Sequence, residues 1–285
     1  MSISSAKLIQ KRTLEFCYSI KEWELNARLF ESFNKFLNKE YYLIPDKERI
    51  GKGIKYISNH VAKGVFQHLF NKEKINRIFI YEFIEALFNY GENVESQIIQ
   101  LFALHIIAEF ISSFPNDFEK MLSLIKKYAC HRNWIVRETI ADSIIAGLKK
   151  NIDITLIFLN KWAKNSNENL RRLVSESLRP HNSIKWLRDP TKNDKILDIL
   201  TILRNDPSLY VRKSVGNNLK DLSKYMPEKI LDLLESWIRK AQIIVHDELA
   251  TELGLNQEEK RLIWTMKYAM RWIKNKNPEY HSRLE

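Results

Sequence analysis

Hydrophobic residues recur along this chain at helical rather than alternating spacing. Apolar stripes with steps of three and four run through Trp23–Leu37, Ile50–Phe70 and Ile78–Phe88, and each predicts an amphipathic helix. The most apolar run, Leu101–Ile111, holds His105 and Glu109 and is too short to span a bilayer, so it predicts a buried helix. Further amphipathic helices are predicted at Phe118–Ala129, Ile154–Lys164, Lys195–Arg204, Pro227–Lys240 and Glu258–Ile273.

Three nine-residue blocks align without gaps: Val136–Ile144, Leu170–Leu178 and Val211–Leu219, with a weaker fourth at Val245–Leu253. Apolar residues fill the first, fifth and ninth places and so share one helical face. The sixth place is small (Ala141, Ser175, Gly216), which lets a neighbouring helix approach closely. The second place reads Arg137, Arg171, Arg212 and His246, at spacings of 34, 41 and 34 residues. Polar turns at Asn165–Glu168 and Asn205–Ser208 separate the paired helices and offer N-cap residues. The longer step holds an insertion at Arg179–Pro190, whose two prolines break the helix.

Helix pairs repeating at about 40 residues describe HEAT-type repeats. The predicted fold is all-α, a right-handed solenoid of HEAT-like helical repeats (an α-α superhelix). One domain is expected over 1–285, with divergent N-terminal helices in 1–115, recognisable repeats in 116–257 and a C-terminal cap in 258–285. Trp264 and Trp272 are expected to pack as that cap, and Trp162 and Trp237 to lie in the core.

Composition narrows the classes further. Seven glycines and seven prolines in 285 residues fall well below the usual usage, which disfavours turn-rich β folds and Rossmann-like α/β folds. Lys and Arg outnumber Asp and Glu by 46 to 35, favouring a polyanionic partner, although a generally Lys-rich proteome gives the same surplus. Cys17 and Cys130 lack metal-ligand spacing, so neither a thiolate zinc site nor a disulfide framework is expected, and no cofactor or metal. Residues Met1–Lys11 lack the apolar core of a secretory signal, and a cytoplasmic, nucleoid-associated monomer without membrane contact is expected. No phosphate-loop, HExxH or GxSxG pattern occurs, and of seven scattered histidines only His131, near Trp134, stands beside candidate chemistry.

A helical array presents the same block position from repeat to repeat. The third place reads Glu138, Arg172, Lys213 and Asp247, and the seventh reads Asp142, Glu176, Asn217 and Thr251. Such a charged stripe is not needed for packing and suits contacts with phosphates or a charged base. The second-place arginines have a structural alternative in salt bridges between repeats. Trp134 and Glu138 are four apart, hence neighbours on one face. Either the tryptophan walls a cationic base beside the carboxylate, or it is a core residue with a surface Glu next to it.

Asn133–Glu138, Asn169–Glu176 with Arg179-Pro180, and Tyr210–Leu219 resemble the AlkD/AlkC-type DNA alkylation repair family, HEAT-like-repeat DNA glycosylases that remove alkylated bases. The resemblance covers roughly Ser112–Lys240. It implies that Trp134 and Glu138 match the Trp and the catalytic acid (there Asp) of the AlkD branch, and that Arg172 faces the lesion-bearing backbone. Asn217 stands where that branch has a second DNA-facing Trp. The run Ser175–Pro180 and the Asn-Asn-Leu ending at Leu219 look closer to the AlkC branch, whose Glu before the first motif is replaced by Asn133. The implied activity is monofunctional excision of cationic N3- or N7-alkylated bases from double-stranded DNA without flipping the base into a deep pocket. Glu138 and Trp134 are the catalytic candidates. Arg137, Arg171, Arg172, Glu176, Trp186, Arg212, Lys213, Asn217 and Lys220 are the DNA-binding candidates. Two alternatives stand beside it: a non-catalytic member that binds bent, branched or damaged DNA, and a HEAT scaffold for a protein partner.

Overall fold

The apolar spacing is realised as helices throughout: all regular structure among the described residues is α-helix or 3-10 helix. The computed structural model describes residues 3–71, 77–180, 183–241, 255–276 and 278–281. These divide into two compact units, 1–151 and 152–285.

The first unit contains α1 (Ala6–Ser19), α2 (Ala27–Tyr42), α3 (Asp46–Arg49), α4 (Ile54–Asn71), α5 (Arg77–Asn93) and α6 (Gln97–Ser113). A 3-10 stretch at Pro115–Met121 leads into α7 (Leu122–Ala129), α8 (Trp134–Thr139) and α9 (Ala141–Lys150). The most apolar run lies inside α6, which is buried on nearly every side, as a helix apolar all round must be. α4, α5 and α9 pack on it, and α1 packs on α4. Two stripes differ from expectation at their starts. Ile50 is 96% exposed because Gly51-Lys52-Gly53 separates α3 from α4, glycine being about 1 kcal/mol worse than alanine inside a helix. Trp23 precedes α2, which Asn26 caps by accepting from Leu29 N; its ring packs on Phe33 and Phe83. The first block is divided at Ile140, where Ser143 N bonds the Ile140 carbonyl three residues back and tightens the turn.

The second unit contains α10 (Ile152–Ala163), α11 (Glu168–Ser177), a 3-10 turn at Lys185–Arg188, α12 (Asp194–Ile202), α13 (Leu209–Leu222) and α14 (Pro227–Ala241). It closes with α15 (Gln257–Ala269), α16 (Arg271–Lys276) and α17 (Pro278–His281). The expected helix–turn–helix pairs appear as α10/α11 and α12/α13, with the Pro-flanked insertion between them. Trp162 and Trp237 are both core residues, and Trp237 Nε1 donates to Thr201 Oγ1 at 3.1 Å. The fourth block, with His246, Asp247 and Thr251, lies outside the described residues.

The block helices α11 and α13 stack on one another, and α15 of the C-terminal segment stacks on α13. The small sixth-place residues stand at these seams. Asn218 Nδ2 donates to the Ser175 carbonyl at 2.8 Å, and Tyr268 of α15 lies against Gly216. A Cβ at Gly216 would stand 2.6 Å from Tyr268 Cδ1. That ring is braced by Trp264 and Arg271, so it has little room to withdraw. Gly216→Ala is therefore expected to lower stability by about 1–3 kcal/mol despite its better helix propensity, as overpacked cores do, which a urea denaturation curve measures.

Candidate nucleic-acid interface

In the first unit, the turn before α8 is built by polar side chains. Asn133 Oδ1 accepts from Ile135 N at 3.0 Å and starts the helix at Trp134. His131 Nδ1 accepts from Asn133 N at 3.0 Å, which leaves its proton on Nε2 to donate to Glu92 at 2.9 Å. Arg137 folds back on the same turn, Nη1 donating to the carbonyls of His131 and Arg132 at 2.7 and 2.8 Å. Trp134 is 62% exposed, so it is not a core tryptophan, and Glu138 one turn on is half-buried.

One further turn along lies Asp142 of α9, whose surroundings the sequence did not reveal. Its Oδ2 sits 3.0 Å from Lys55 Nζ and 3.3 Å from His105 Nε2. His105 Nδ1 lies 3.0 Å from Ser58 Oγ. The imidazole thus stands between the Ser58 hydroxyl and the Asp142 carboxylate. The array has the order Ser–His–Asp, but Ser58 is fully buried and out of reach of any substrate, so its effect is to orient Asp142. Burial pushes the Asp142 carboxyl up, yet His105 and Lys55 together hold it below the usual range. Burial also keeps His105 neutral, against the pull of Asp142. No periodic rule links a histidine on α6 to a carboxylate 37 residues later.

The second unit repeats the arginine geometry. Arg171 Nη1 donates to the carbonyls of Asn165 and Ser166, both at 2.8 Å, and Arg212 Nη1 to those of Asp206 and Pro207 at 2.6 and 3.0 Å. Arg171 also closes a bidentate pair with Asp206 of the next repeat, at 2.6 and 2.9 Å. Asp206 is only 6% exposed and Ser208 N donates to its Oδ1. These guanidinium groups are committed to the turns.

Arg172 lies over the Tyr210 ring at 4.0 Å and pairs with Glu176 at 3.1 Å. Glu176 also meets Arg179, which reaches Asp221 of α13. Asn217 Oδ1 accepts from Arg271 at 2.8 Å. Lys213 is exposed, Lys220 stands 3.4 Å from Asp221, and Trp186 is half-buried in its 3-10 turn. The structure thus links Arg172, Glu176 and Arg179 into one chain of charges, while Lys213 projects from α13 outside it. Among the described residues no cluster of His, Cys, Asp or Glu could hold a metal ion, and no helix is long and apolar enough to cross a membrane.

A family profile described as "DNA alkylation repair enzyme" matches residues 56–273. The Bacillus subtilis protein YhaZ is 44% identical over 81 residues, a match spanning 27% of this chain and 22% of YhaZ. The crystal structure of AlkD2 from Streptococcus mutans superposes with a TM-score of 0.57 at 20% identity, covering 85% of this chain and 98% of that one. Pseudomonas fluorescens AlkC, an alkylpurine DNA glycosylase bound to DNA containing an abasic site analog, superposes with a TM-score of 0.55 at 20% identity, covering 99% of this chain and 67% of that one.

Two outcomes follow for the groups described above. Arg171→Ala strands the buried Asp206 carboxylate and is expected to destabilise the protein by about 3–5 kcal/mol, with the Arg171→Ala/Asp206→Ala double variant recovering part of that loss in chemical denaturation. His105 is held below its ordinary 6.5 by burial, and His60 is pushed down to about 4 by burial and by Lys63. Below pH 6.5 the unfolded chain takes up protons that the folded histidines refuse. Stability is therefore full above pH 6.5 and falls as pH drops towards 4, and His60→Gln should flatten that slope in urea titrations.

Proposed function

Because the chain belongs to the DNA alkylation repair enzyme family, we propose that it binds double-stranded DNA and releases cationic N3- or N7-alkylated bases as a monofunctional glycosylase. The observation that carries the reading is the exposure of Trp134, while Trp162 and Trp237 are buried, with Glu138 one turn away. An indole this exposed can meet a ligand directly. Its face offers a cationic base or a developing sugar cation an attraction of about 0.5–2 kcal/mol.

The chemistry asks little of the protein. An alkylated purine already carries positive charge, so it leaves readily and needs no strong general acid. What remains is to stabilise the oxocarbenium-like sugar and to position water, and a carboxylate does both. Glu138 takes that role in this reading, with Trp134 beside it. Of the candidate cations, backbone contact falls to the exposed Lys213, because Arg137, Arg171 and Arg212 are occupied by the turns, Arg172 by Tyr210 and Glu176, and Lys220 by Asp221.

One observation favours a second reading, a family member that binds damaged or distorted DNA without cleaving the glycosidic bond. Asn217, at the place of the second aromatic expected from the AlkD branch, is an amide tied to Arg271.

Incubation with methylated duplex DNA, followed by chromatography of freed 3-methyladenine and 7-methylguanine, separates the two readings. Glu138→Gln is expected to keep DNA affinity and abolish base release; unchanged release rejects Glu138 as the catalytic group. Wild-type protein that binds duplex tightly and frees neither base belongs to the second reading. Affinity should fall steeply with salt, and Lys213→Ala should lower the slope of log affinity against log salt by about one. A salt-independent interaction would point to a protein partner instead.

A further inference from the structure

The end of the second unit holds a cleft of about 420 Å³ between α13 and α15, which none of the assignments above uses. Four cations line it, Arg212, Lys260, Arg261 and Lys267, together with the ring of Trp264; among the described residues no carboxylate does. Its volume falls within the range of small-molecule sites. On α15, Lys260, Trp264, Lys267 and Tyr268 follow steps of three, four and seven, so they share one side of the helix.

The cleft's chemistry is unusual for a surface that only caps a fold. Arg212 is held in place by the Asp206 and Pro207 carbonyls and lies 5.4 Å from the centre of the Trp264 ring. Burial and the nearby Arg261 both weaken its hold on its proton, and Asp206, whose carboxylate opposes them, is already paired with Arg171. Lys260, Arg261 and Lys267 have no ion-pair partner among the described residues, so their charge is available to an external anion. The aromatic side is equally fixed. Trp264 stacks on Tyr268 with centroids 4.9 Å apart and planes 14° from parallel. Tyr268 is seated on Gly216 and covered by Arg271 at 3.3 Å, and Arg271 is itself tied to Asn217. Trp264 is thus a braced indole beside four cations, where the sequence suggested a packing cap.

A nucleotide answers both features, since its base stacks on an aromatic face while its phosphates take up cations. We propose that this cleft binds a nucleotide of an unpaired DNA strand, the base against Trp264 and the phosphates among Lys260, Arg261 and Lys267, with Arg212 fixed beside the ring by its turn. That the nucleotide comes from a DNA strand rests on the repair reading above; the match of ring and phosphate to the cleft does not.

The test is fluorescence anisotropy of the full chain with a labelled eight-nucleotide oligothymidylate, with thymidine monophosphate and an oligoglutamate peptide as competitors. Trp264→Leu and, independently, Lys260→Ala/Arg261→Ala are each expected to weaken strand binding by about tenfold, the scale of one lost base stack or two phosphate contacts. Both variants are expected to hold blunt-duplex affinity within about twofold and to melt as the wild type does by circular dichroism. The surface double variant keeps the test decisive if Trp264→Leu fails to fold. Strand binding within about twofold of wild type in the folded variants overturns the site, as does equal competition by oligoglutamate. Competition by the monophosphate at equal nucleotide concentration overturns the strand as the source. If the protein frees no base from methylated duplex yet binds the oligothymidylate through Trp264, the catalytic reading fails and this one stands; base release with unaltered strand binding in the variants gives the reverse.

Discussion

An arginine folded back onto the turn that precedes its own helix is the interaction on which the repeats depend. In three blocks, Nη1 donates to two carbonyls, six and five residues upstream. Those carbonyls lie in irregular backbone, where no ladder of helix or sheet satisfies them, and an unpaired buried carbonyl is expensive. Because the acceptors are main-chain atoms, the turn is free to vary in sequence: His131-Arg132, Asn165-Ser166 and Asp206-Pro207 share no residue. Fixing the turn fixes where the block helix begins, and so which residues its next turns present. Trp134 and Glu138, or Lys213 and Asn217, stand where they do because the arginine beside them does not move.

The same bonds explain why net charge is a poor guide to this surface. A basic chain suggested arginine contacts with phosphate, yet the second-place arginines are held by turns and Arg172 by Tyr210 and Glu176. A guanidinium that is both bidentate to a carboxylate and bonded to carbonyls has few donors left for a ligand. Lysines have no such planar fork, and the exposed Lys213 is the more available cation. The charge that a polyanion meets is therefore carried by residues that the repeat pattern does not require.

How far the sequence could be read follows from what kind of contact each feature uses. The helices, the paired-helix repeat and the buried α6 were legible because apolar spacing is a property of one segment. The small sixth-place residue was legible too, although its partner, Tyr268, was not. Helix starts at Trp23 and Ile50 were placed too early because a periodic pattern ignores a cap at Asn26 and the glycines at 51 and 53. Contacts between segments stayed hidden: the Ser58–His105–Asp142 array joins three helices, and the Arg212–Trp264 cleft joins α13 to α15. Whether Trp134 lay in the core was undecidable from spacing, since an exposed and a buried tryptophan fit the same pattern.

Asp206 has a consequence beyond its pairings. Its carboxylate accepts from Arg171, its carbonyl from Arg212, and Ser208 N also leans on it. In an ideal repeat array each module has its own stability and couples to neighbours only through a surface, so it can fray alone. Here one side chain is a common member of two successive modules, and neither can come undone without opening the other. The middle of the second unit should therefore melt as a single cooperative block, with any fraying confined to its ends.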